Sequence, residues 1–197
     1  MKKFFMTILR SVASVGTVFL MLSLAACGQF AGEQSMYHAD YPYFSSIDEL
    51  TAEADLIIIG ETVSANNVEK LKTSSDSDDA LPYTMCEVRI SQVIKGTAEV
   101  GEIITVKQFG DFKKMPDSAL KELDGYIKKD STNLMFLRVF DGVPSEPLSP
   151  YQGVVSIENG KLVSKSKYSL FGFENNESVE DAVDSIGAVI EIRSKGD

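Results

Sequence analysis

The chain has 197 residues, of which 44% are apolar and 24% charged, and its 29 acidic residues outnumber its 19 lysine and arginine residues. These proportions exclude general disorder and predict a folded domain with a sizeable core. The excess of negative charge argues against nucleic acid as a partner, because that binding depends on neutralising phosphates with lysine and arginine. A single histidine leaves little material for a histidine-based triad or a histidine-ligated zinc site.

The first 26 residues have the layout of a secretory signal peptide: a basic start, an apolar stretch and small residues before a cleavage site. The uncharged run from Ser11 to Ala26 has 16 residues. A membrane-spanning helix needs about 20, so the sequence favours a signal peptide over an uncleaved anchor helix. Removal of residues 1–26 leaves 171 residues with 29 acids and 16 bases, a net charge of −13.

The end of this segment, Leu24-Ala25-Ala26-Cys27, resembles the lipobox of bacterial lipoproteins. The resemblance implies that Cys27 carries a diacylglyceryl lipid and becomes the first residue of the mature protein. Each buried methylene contributes about 0.8 kcal/mol, so two or more acyl chains hold a protein stably on a membrane. The expected location is therefore the extracytoplasmic face of the cell membrane, and this covalent lipid is the only non-protein group expected.

Cys86 is the only other cysteine, so acylation of Cys27 leaves no intramolecular disulfide. Cys86 alternates in phase with Val88 and Ile90, which predicts a buried, inert thiol in a strand. A nucleophilic cysteine needs a neighbouring base, and the single histidine, His38, lies in the segment that joins the lipid to the domain. We therefore assign no catalytic residue.

Residues 27–45 are predicted to form a tether between the lipid and the folded domain, because they show no hydrophobic period. The tether contains the crowded aromatic residues Tyr37, Tyr41, Tyr43 and Phe44. The sequence favours docking of these rings on the domain over a position at the membrane interface.

A single domain is predicted over residues 46–197, with a short helix at its start and an amphipathic helix at its end. Ser46 with Glu49 three residues later is a capping box, which predicts a helix from Ile47 to about Ala54. Ser178 opens the second helix, and its apolar stripe is predicted to pack across the sheet rather than on a partner helix. The stripe consists of Val179, Ala182, Val183, Ile186, Val189 and Ile190.

Five to six strands are predicted between the two helices. Four of them begin near Leu56, Tyr83, Ile103 and Asn133. The dipeptide Asn159-Gly160 predicts a hairpin between residues 153–158 and 161–164, because such a turn requires positive φ at both central residues. Residues 66–82 are polar and are interpreted as a long loop or a loosely held hairpin end.

No long helical crossover separates the strands, so antiparallel pairing in a meander or Greek key is expected. Gly60 predicts a bulge or a sharp bend, and a bulge is also predicted at Ser91-Gln92, where the alternation of apolar residues falters. Such bends favour a closed or nearly closed barrel. The fold class expected is therefore mainly β (α+β), a small antiparallel OB-like barrel with a helix at each end.

The strand patterns resemble those of uncharacterised secreted proteins and lipoproteins of Gram-positive bacteria. More distantly, they resemble the netrin-like domain of tissue metalloproteinase inhibitors, an OB-type barrel. The similar segments are Ala54–Val63, Val88–Gly96, Gly101–Val106 and Leu134–Leu137. The fold is what the resemblance implies over residues 47–164. Inhibition in that family depends on a free N-terminal cysteine within a disulfide framework, and this chain lacks the disulfides and would carry lipid on Cys27.

The first functional hypothesis is a membrane-anchored, non-enzymatic binding or accessory domain that contacts an envelope protein. The contact region is expected on a face of the barrel and on the irregular segment Gly110–Lys129. This hypothesis depends on the lipid anchor and on the absence of sequence motifs for catalysis or for phosphate binding. Neither the partner nor the oligomeric state follows from the sequence.

A second hypothesis is an envelope ligand-binding module, for a glycan or for calcium. Asp76, Asp78 and Asp79 are weak calcium candidates, because Ala80 interrupts the spacing of an EF-hand loop and a solvated acidic loop is favoured. Tyr126, Tyr151 and Tyr168 provide material for stacking on sugar rings. A third hypothesis, a carboxylate-based hydrolase, needs two acids at a defined separation.

Overall fold

The computed structural model describes residues 42–72, 79–116, 120, 125–164 and 172–196. Residues Tyr41–Asp197 form one compact unit, which is mainly β with a helix near each end. In chain order the elements are α1 Ile47–Glu53, β1 Leu56–Lys72, β2 Ala80–Lys95, β3 Ile103–Phe109, a 3₁₀ turn Phe112–Lys114, β4 Thr132–Phe140, β5 Val143–Pro147, β6 Val154–Glu158, β7 Lys161–Val163 and α2 Val179–Ser194.

The first helix is capped at both ends, as its sequence requires. Ser46 Oγ accepts a hydrogen bond from Glu49 N at 3.1 Å, which confirms the predicted cap. At the other end, Lys95 Nζ donates to the carbonyl oxygens of Thr51 and Ala52 at 2.7 and 3.0 Å. This cation satisfies carbonyl groups that a helix end leaves without partners. Burial lowers the pKa of the Lys95 ammonium group.

The seven strands form one mixed sheet in the order β1-β2-β3-β5-β4-β6-β7, and β1 also pairs with β4. Five strands, β1, β2, β3, β5 and β4, therefore form a closed ring of pairings, with β6 and β7 continuing from β4. The prediction of purely antiparallel pairing is wrong at one place, because β3 and β5 run parallel and meet at Val106 and Ser145. The strand β5 itself was not expected, since it contains Pro144 and Pro147, which cannot donate ladder hydrogen bonds.

The bulges predicted at Gly60 and at Ser91-Gln92 are one and the same bulge, in which the two places face each other. Ile59 pairs with Gln92 and Gly60 pairs with Ile90, so Ser91 is the extra residue on β2. The Ser91 hydroxyl donates to Ile59 O at 3.0 Å. A Cβ at Gly60 would lie 2.4 Å from Val88 Cγ1, so the close approach of β1 and β2 requires glycine there.

Of the two alternatives for residues 66–82, a long loop or a hairpin end, the described residues support the hairpin end, and the loop is wrong there. β1 continues to Lys72 and β2 already begins at Ala80, with register pairs from Asn67–Met85 to Lys72–Ala80. Residues 73–78 between them lie outside the described part of the chain. Polar side chains concealed these strands, because a two-stranded ribbon facing solvent has little need of apolar alternation.

Two apolar clusters lie on opposite faces of β1 and β4. Inside the ring, Ile58, Val88 and Leu137 belong to one cluster. Ile57, Leu134 and Phe136 face the helices in the other cluster, where Ala182 and Ile186 of α2 are fully buried. The predicted packing of α2 across the sheet is confirmed, and Asn133–Leu137 are buried on both faces.

The last hairpin and the cap of α2 follow the sequence closely. Asn159 and Gly160 have φ of 53° and 74°, as the predicted turn requires. Ser178 Oγ accepts from Asp181 N at 3.0 Å at the start of α2. None of the described helices is both long and apolar enough to cross a membrane.

Candidate functional site

Most of the residues singled out in the sequence fall outside the described part of the chain. This holds for the lipobox with Cys27, for His38, for Asp76 and Asp78, and for Tyr168. Asp79 is described, and it is exposed next to the start of β2. Within the described ranges, no group of three or more histidine, cysteine or acidic residues is arranged to hold a metal ion.

The ring of strands has two distinct ends. Because Val106 of β3 lies level with Ser145 of the parallel strand β5, the start of β3 lies level with the turn between β4 and β5. We call this the hairpin end, formed by Gly96–Ile103 and Val139–Val143. The opposite end, which we call the tyrosine end, is formed by Tyr43–Phe44, Gly110–Pro116, Gly125–Ser131 and Leu148–Gln152.

At the tyrosine end, a glutamine side chain holds the point where the chain enters the domain. Gln152 Oε1 accepts from Phe44 N, and Gln152 Nε2 donates to Phe44 O, both at 2.9 Å. The amide thereby copies the paired hydrogen bonds of a neighbouring strand, and the Phe44 ring is buried in the cluster beneath the helices. Docking on the domain is thus confirmed for Phe44.

A second glutamine holds residues 125–131, which we call the cover because they lie over this end of the ring. Gln108 Nε2 donates to Ile127 O at 2.9 Å, and Gln108 Oε1 accepts from Ile127 N at 3.0 Å. Ile127 is fully buried inside the ring. Gly125 lies against the carbonyl group of Pro150, so closely that a Cβ would be 1.7 Å from Pro150 O. Side-chain clamps and a glycine contact therefore fix the described part of the segment 110–131.

Cys86 is buried beneath this cover, as the sequence predicted. Gln108 Nε2 also lies 3.1 Å from Cys86 Sγ, and the thiol group is fully inaccessible. Burial raises the pKa of the Cys86 thiol to about 11, and the smaller effect of the Gln108 hydrogen bond acts in the other direction. Such a thiol is neutral at physiological pH and has neither the thiolate character nor the access that a nucleophile needs.

The raised pKa predicts a specific loss of stability in alkali. In the unfolded chain the thiol ionises near its ordinary pKa of 9.0, whereas in the folded protein it stays protonated to about pH 11. The unfolded state therefore binds fewer protons over this window, and stability falls as the pH rises. Relative to a Cys86→Ala variant, the native protein should lose about 2 kcal/mol of unfolding free energy between pH 8 and pH 11. Urea unfolding of both proteins across this range measures the difference, and parallel pH profiles would contradict the prediction.

A lysine surrounded by aromatic rings reinforces the outer face of the ring, and the sequence did not reveal it. Lys107 Nζ lies 3.2 Å from Glu146 Oε2 and 4.8 Å above the Phe140 ring, with only 14% of its side chain exposed. The Tyr83 ring is 5.7 Å from the same ammonium group. These contacts join β3 to β5, where the backbone pairing is a single bridge. Alternation along β3 placed Lys107 on the outer face, but its neighbours come from other strands.

Large apolar side chains are exposed mainly at the hairpin end. Seven such residues are exposed in the described ranges, and four of them lie there, with 48% to 69% of their surface accessible. These four are Val100, Ile103, Val139 and Val143. Exposed acids adjoin them, namely Glu99, Glu102 and Asp141. We call these four aliphatic residues at one end of the ring the apolar patch; exposed apolar residues with charged neighbours are the composition of a protein contact surface.

An open depression of about 630 Å³ lies at the start of α2. It is lined by Lys161, residues 174–178 and Asp181. Its carboxylates already accept hydrogen bonds within the chain, since Glu177 Oε2 accepts from Glu174 N at 2.7 Å and Asp181 Oδ2 accepts from Ser178 Oγ at 2.6 Å. The chain turns here just before α2, with Asn176 at φ 69°.

Comparisons with known proteins do not indicate a function for this chain. No protein-family model matches the sequence, and a search of curated proteins finds no significant match.

Proposed function

We propose that this chain is an extracytoplasmic lipoprotein, acylated on Cys27, whose β domain is a non-enzymatic binding module for a protein of the cell envelope. The lipobox pattern and the uncharged run before it support the anchor. The ring of five strand pairings and the register shifts between β1 and β2 support a small OB-like barrel as the architecture of the domain. The residues at the hairpin end support the binding role.

The observation that carries the binding role is the apolar patch at the hairpin end. Val139 and Val143 flank the β4–β5 turn, and Ile103 begins the neighbouring strand β3. About half of the surface of each of these three side chains is in contact with water. Burial against a partner would stabilise the complex by roughly 25 cal/mol per Å² of that apolar surface. The sequence placed the contact region on the segment 110–129 as well, but the exposed aliphatic residues favour the opposite end.

The charges around the patch define the chemistry of the partner. Glu99, Glu102 and Asp141 are exposed: Glu99 precedes Val100, Glu102 precedes Ile103, and Asp141 lies in the turn between Val139 and Val143. A partner that buries the patch should therefore present an apolar surface with lysine or arginine at its rim. Charge complementarity of this kind affects association rate more than affinity, so binding should be faster at low ionic strength.

Photo-crosslinking on intact cells tests the proposal in the full-length protein. A photoreactive residue at Val143, which is 54% exposed, should capture one envelope protein repeatedly. A photoreactive residue at Ile192 is the matched control, because Ile192 is also aliphatic and is 70% exposed on α2. A Val139→Asp substitution should lower capture from position 143 by at least about tenfold, corresponding to 1.4 kcal/mol or more of binding free energy.

The anchor is tested in the same cells. Cys27→Ser should abolish incorporation of a labelled fatty acid and release the protein from the membrane fraction. Equal capture from positions 143 and 192, or capture that Val139→Asp does not change, would refute the hairpin end as the contact surface. Fatty-acid labelling that persists in the Cys27→Ser variant would refute the anchor.

A further inference from the structure

The tyrosine end carries exposed aromatic side chains, here called the aromatic surface, at the point where the chain enters the domain. Tyr43 and Tyr151 are 63% and 62% exposed, and they are the only two aromatic residues among the exposed large apolar side chains of the described ranges. They flank Phe44 and Gln152, whose mutual hydrogen bonds bring the two segments together.

Two further rings extend this surface. Gly125 contacts the peptide group between Pro150 and Tyr151, so the backbone just before Tyr126 lies against the backbone just before Tyr151. The Tyr126 ring in turn packs on the Phe112 ring, with 4.3 Å between their centroids. The Tyr126 and Phe112 rings are half-buried, whereas the Tyr43 and Tyr151 side chains are exposed.

The charge of this end differs from that of the rest of the protein. The described residues of the tyrosine end contain two acids, Asp111 and Asp130, and four lysines, a net charge of +2, whereas residues 27–197 as a whole carry −13. Lys113 and Lys114 follow Phe112, and Lys128 and Lys129 follow Tyr126. Lys114 lies 2.9 Å from Asp111, and Lys129 lies 3.7 Å from Asp130. The excess negative charge therefore lies on the rest of the protein. An anionic membrane would repel the tyrosine end less than it repels that remainder.

We propose that the tyrosine end rests on the lipid headgroup surface, with Tyr43 and Tyr151 as its interfacial contacts. The inference depends on the proposed acylation of Cys27. Phe44 lies 17 residues after Cys27, a length that spans at most about 60 Å when fully extended and allows much shorter separations. Tyrosine is enriched at membrane interfaces because its ring is apolar and its hydroxyl group is polar. This orientation directs the hairpin end, and with it the proposed protein contact, away from the membrane.

Tryptophan fluorescence of the full-length lipoprotein in vesicles tests the orientation, because the chain contains no tryptophan. Tyr151→Trp introduces a single fluorophore at the tyrosine end, and Val143→Trp introduces one of similar exposure at the hairpin end. Both proteins are reconstituted in phosphatidylcholine vesicles with or without phosphatidylglycerol, using brominated acyl chains as the quencher. Circular dichroism confirms that the two variants fold alike.

The Tyr151→Trp variant should be quenched at least about twice as strongly as the Val143→Trp variant, with emission shifted to shorter wavelength. Adding Tyr43→Ser to the Tyr151→Trp variant should reduce that quenching, because one of the two interfacial rings is lost. Vesicles that carry the protein but quench the two variants equally would overturn the orientation and leave the anchor intact. Protein that fails to float with the vesicles would overturn the acylation and the orientation together.

Discussion

Replacing Gly125 by alanine is expected to lower the free energy of unfolding by about 3 kcal/mol or more. Gly125 has φ of +71°, where an alanine costs about 1–2 kcal/mol. The new Cβ would also lie 1.7 Å from Pro150 O, a backbone atom that no rotamer change can remove. The cover of the ring and the segment leading to Gln152 must therefore separate. Urea unfolding followed by circular dichroism measures the loss.

Gly142→Ala is the matched control for this prediction. Gly142 has the same φ of +71°, but no atom lies within 4 Å of the position its Cβ would occupy. Its cost should therefore be the conformational cost alone, about 1–2 kcal/mol. If the two variants lose equal stability, the contact between Gly125 and Pro150 does not exist in solution, and the tyrosine end as described is incorrect.

Replacing Gln108 by leucine is expected to cost about 3 kcal/mol of unfolding free energy. Leucine has a similar size but cannot pair with the N–H and C=O groups of Ile127, which are buried inside the ring. Each buried backbone group left without a partner costs about 1–3 kcal/mol. The cover should open more often as a result, and Cys86, which lies against the same amide, should become reactive toward thiol reagents.

Gln92→Leu provides the control for this second substitution. Gln92 is exposed on β2, and the same change there should alter stability by no more than about 0.5 kcal/mol. Thiol reactivity separates the local effect from a global one. A Gln108→Leu variant that loses stability but reacts at Cys86 no faster than global unfolding allows would show that Gln108 does not hold the cover.

Local chemistry made the ends of elements predictable from the sequence. Ser46 and Ser178 marked the two helix starts. Each hydroxyl group accepts a hydrogen bond from the backbone N–H three residues later, so the cap needs no partner from a distant part of the chain. Asn159-Gly160 marked a hairpin for the same reason, since positive φ is a property of those two residues. The bulge at Gly60 and Ser91 was visible as a break in alternation, which is also a local signal.

The candidate sites were much less predictable, because each joins residues far apart in the chain. Phe44 and Gln152 are separated by 108 positions, and Gln108 and Ile127 by 19. In the sequence each glutamine is an ordinary polar residue, and only the position of its backbone partner makes it a clamp. The patch at the hairpin end was missed for a related reason, since Val143 belongs to a strand whose prolines concealed it.

The sequence by itself determined the β-rich class, the helix at each end, the faces that turn inward and the burial of Cys86. It did so because hydrophobic period and capping residues act over a few neighbouring positions. Only the tertiary structure decided the parallel pairing of β3 with β5, the ring of pairings and the division of exposed apolar residues between two ends. These features depend on which strands become neighbours. The pairing of strands is determined by the burial of both faces of β1 and β4 at once. No pattern within a single segment of the sequence specifies that pairing.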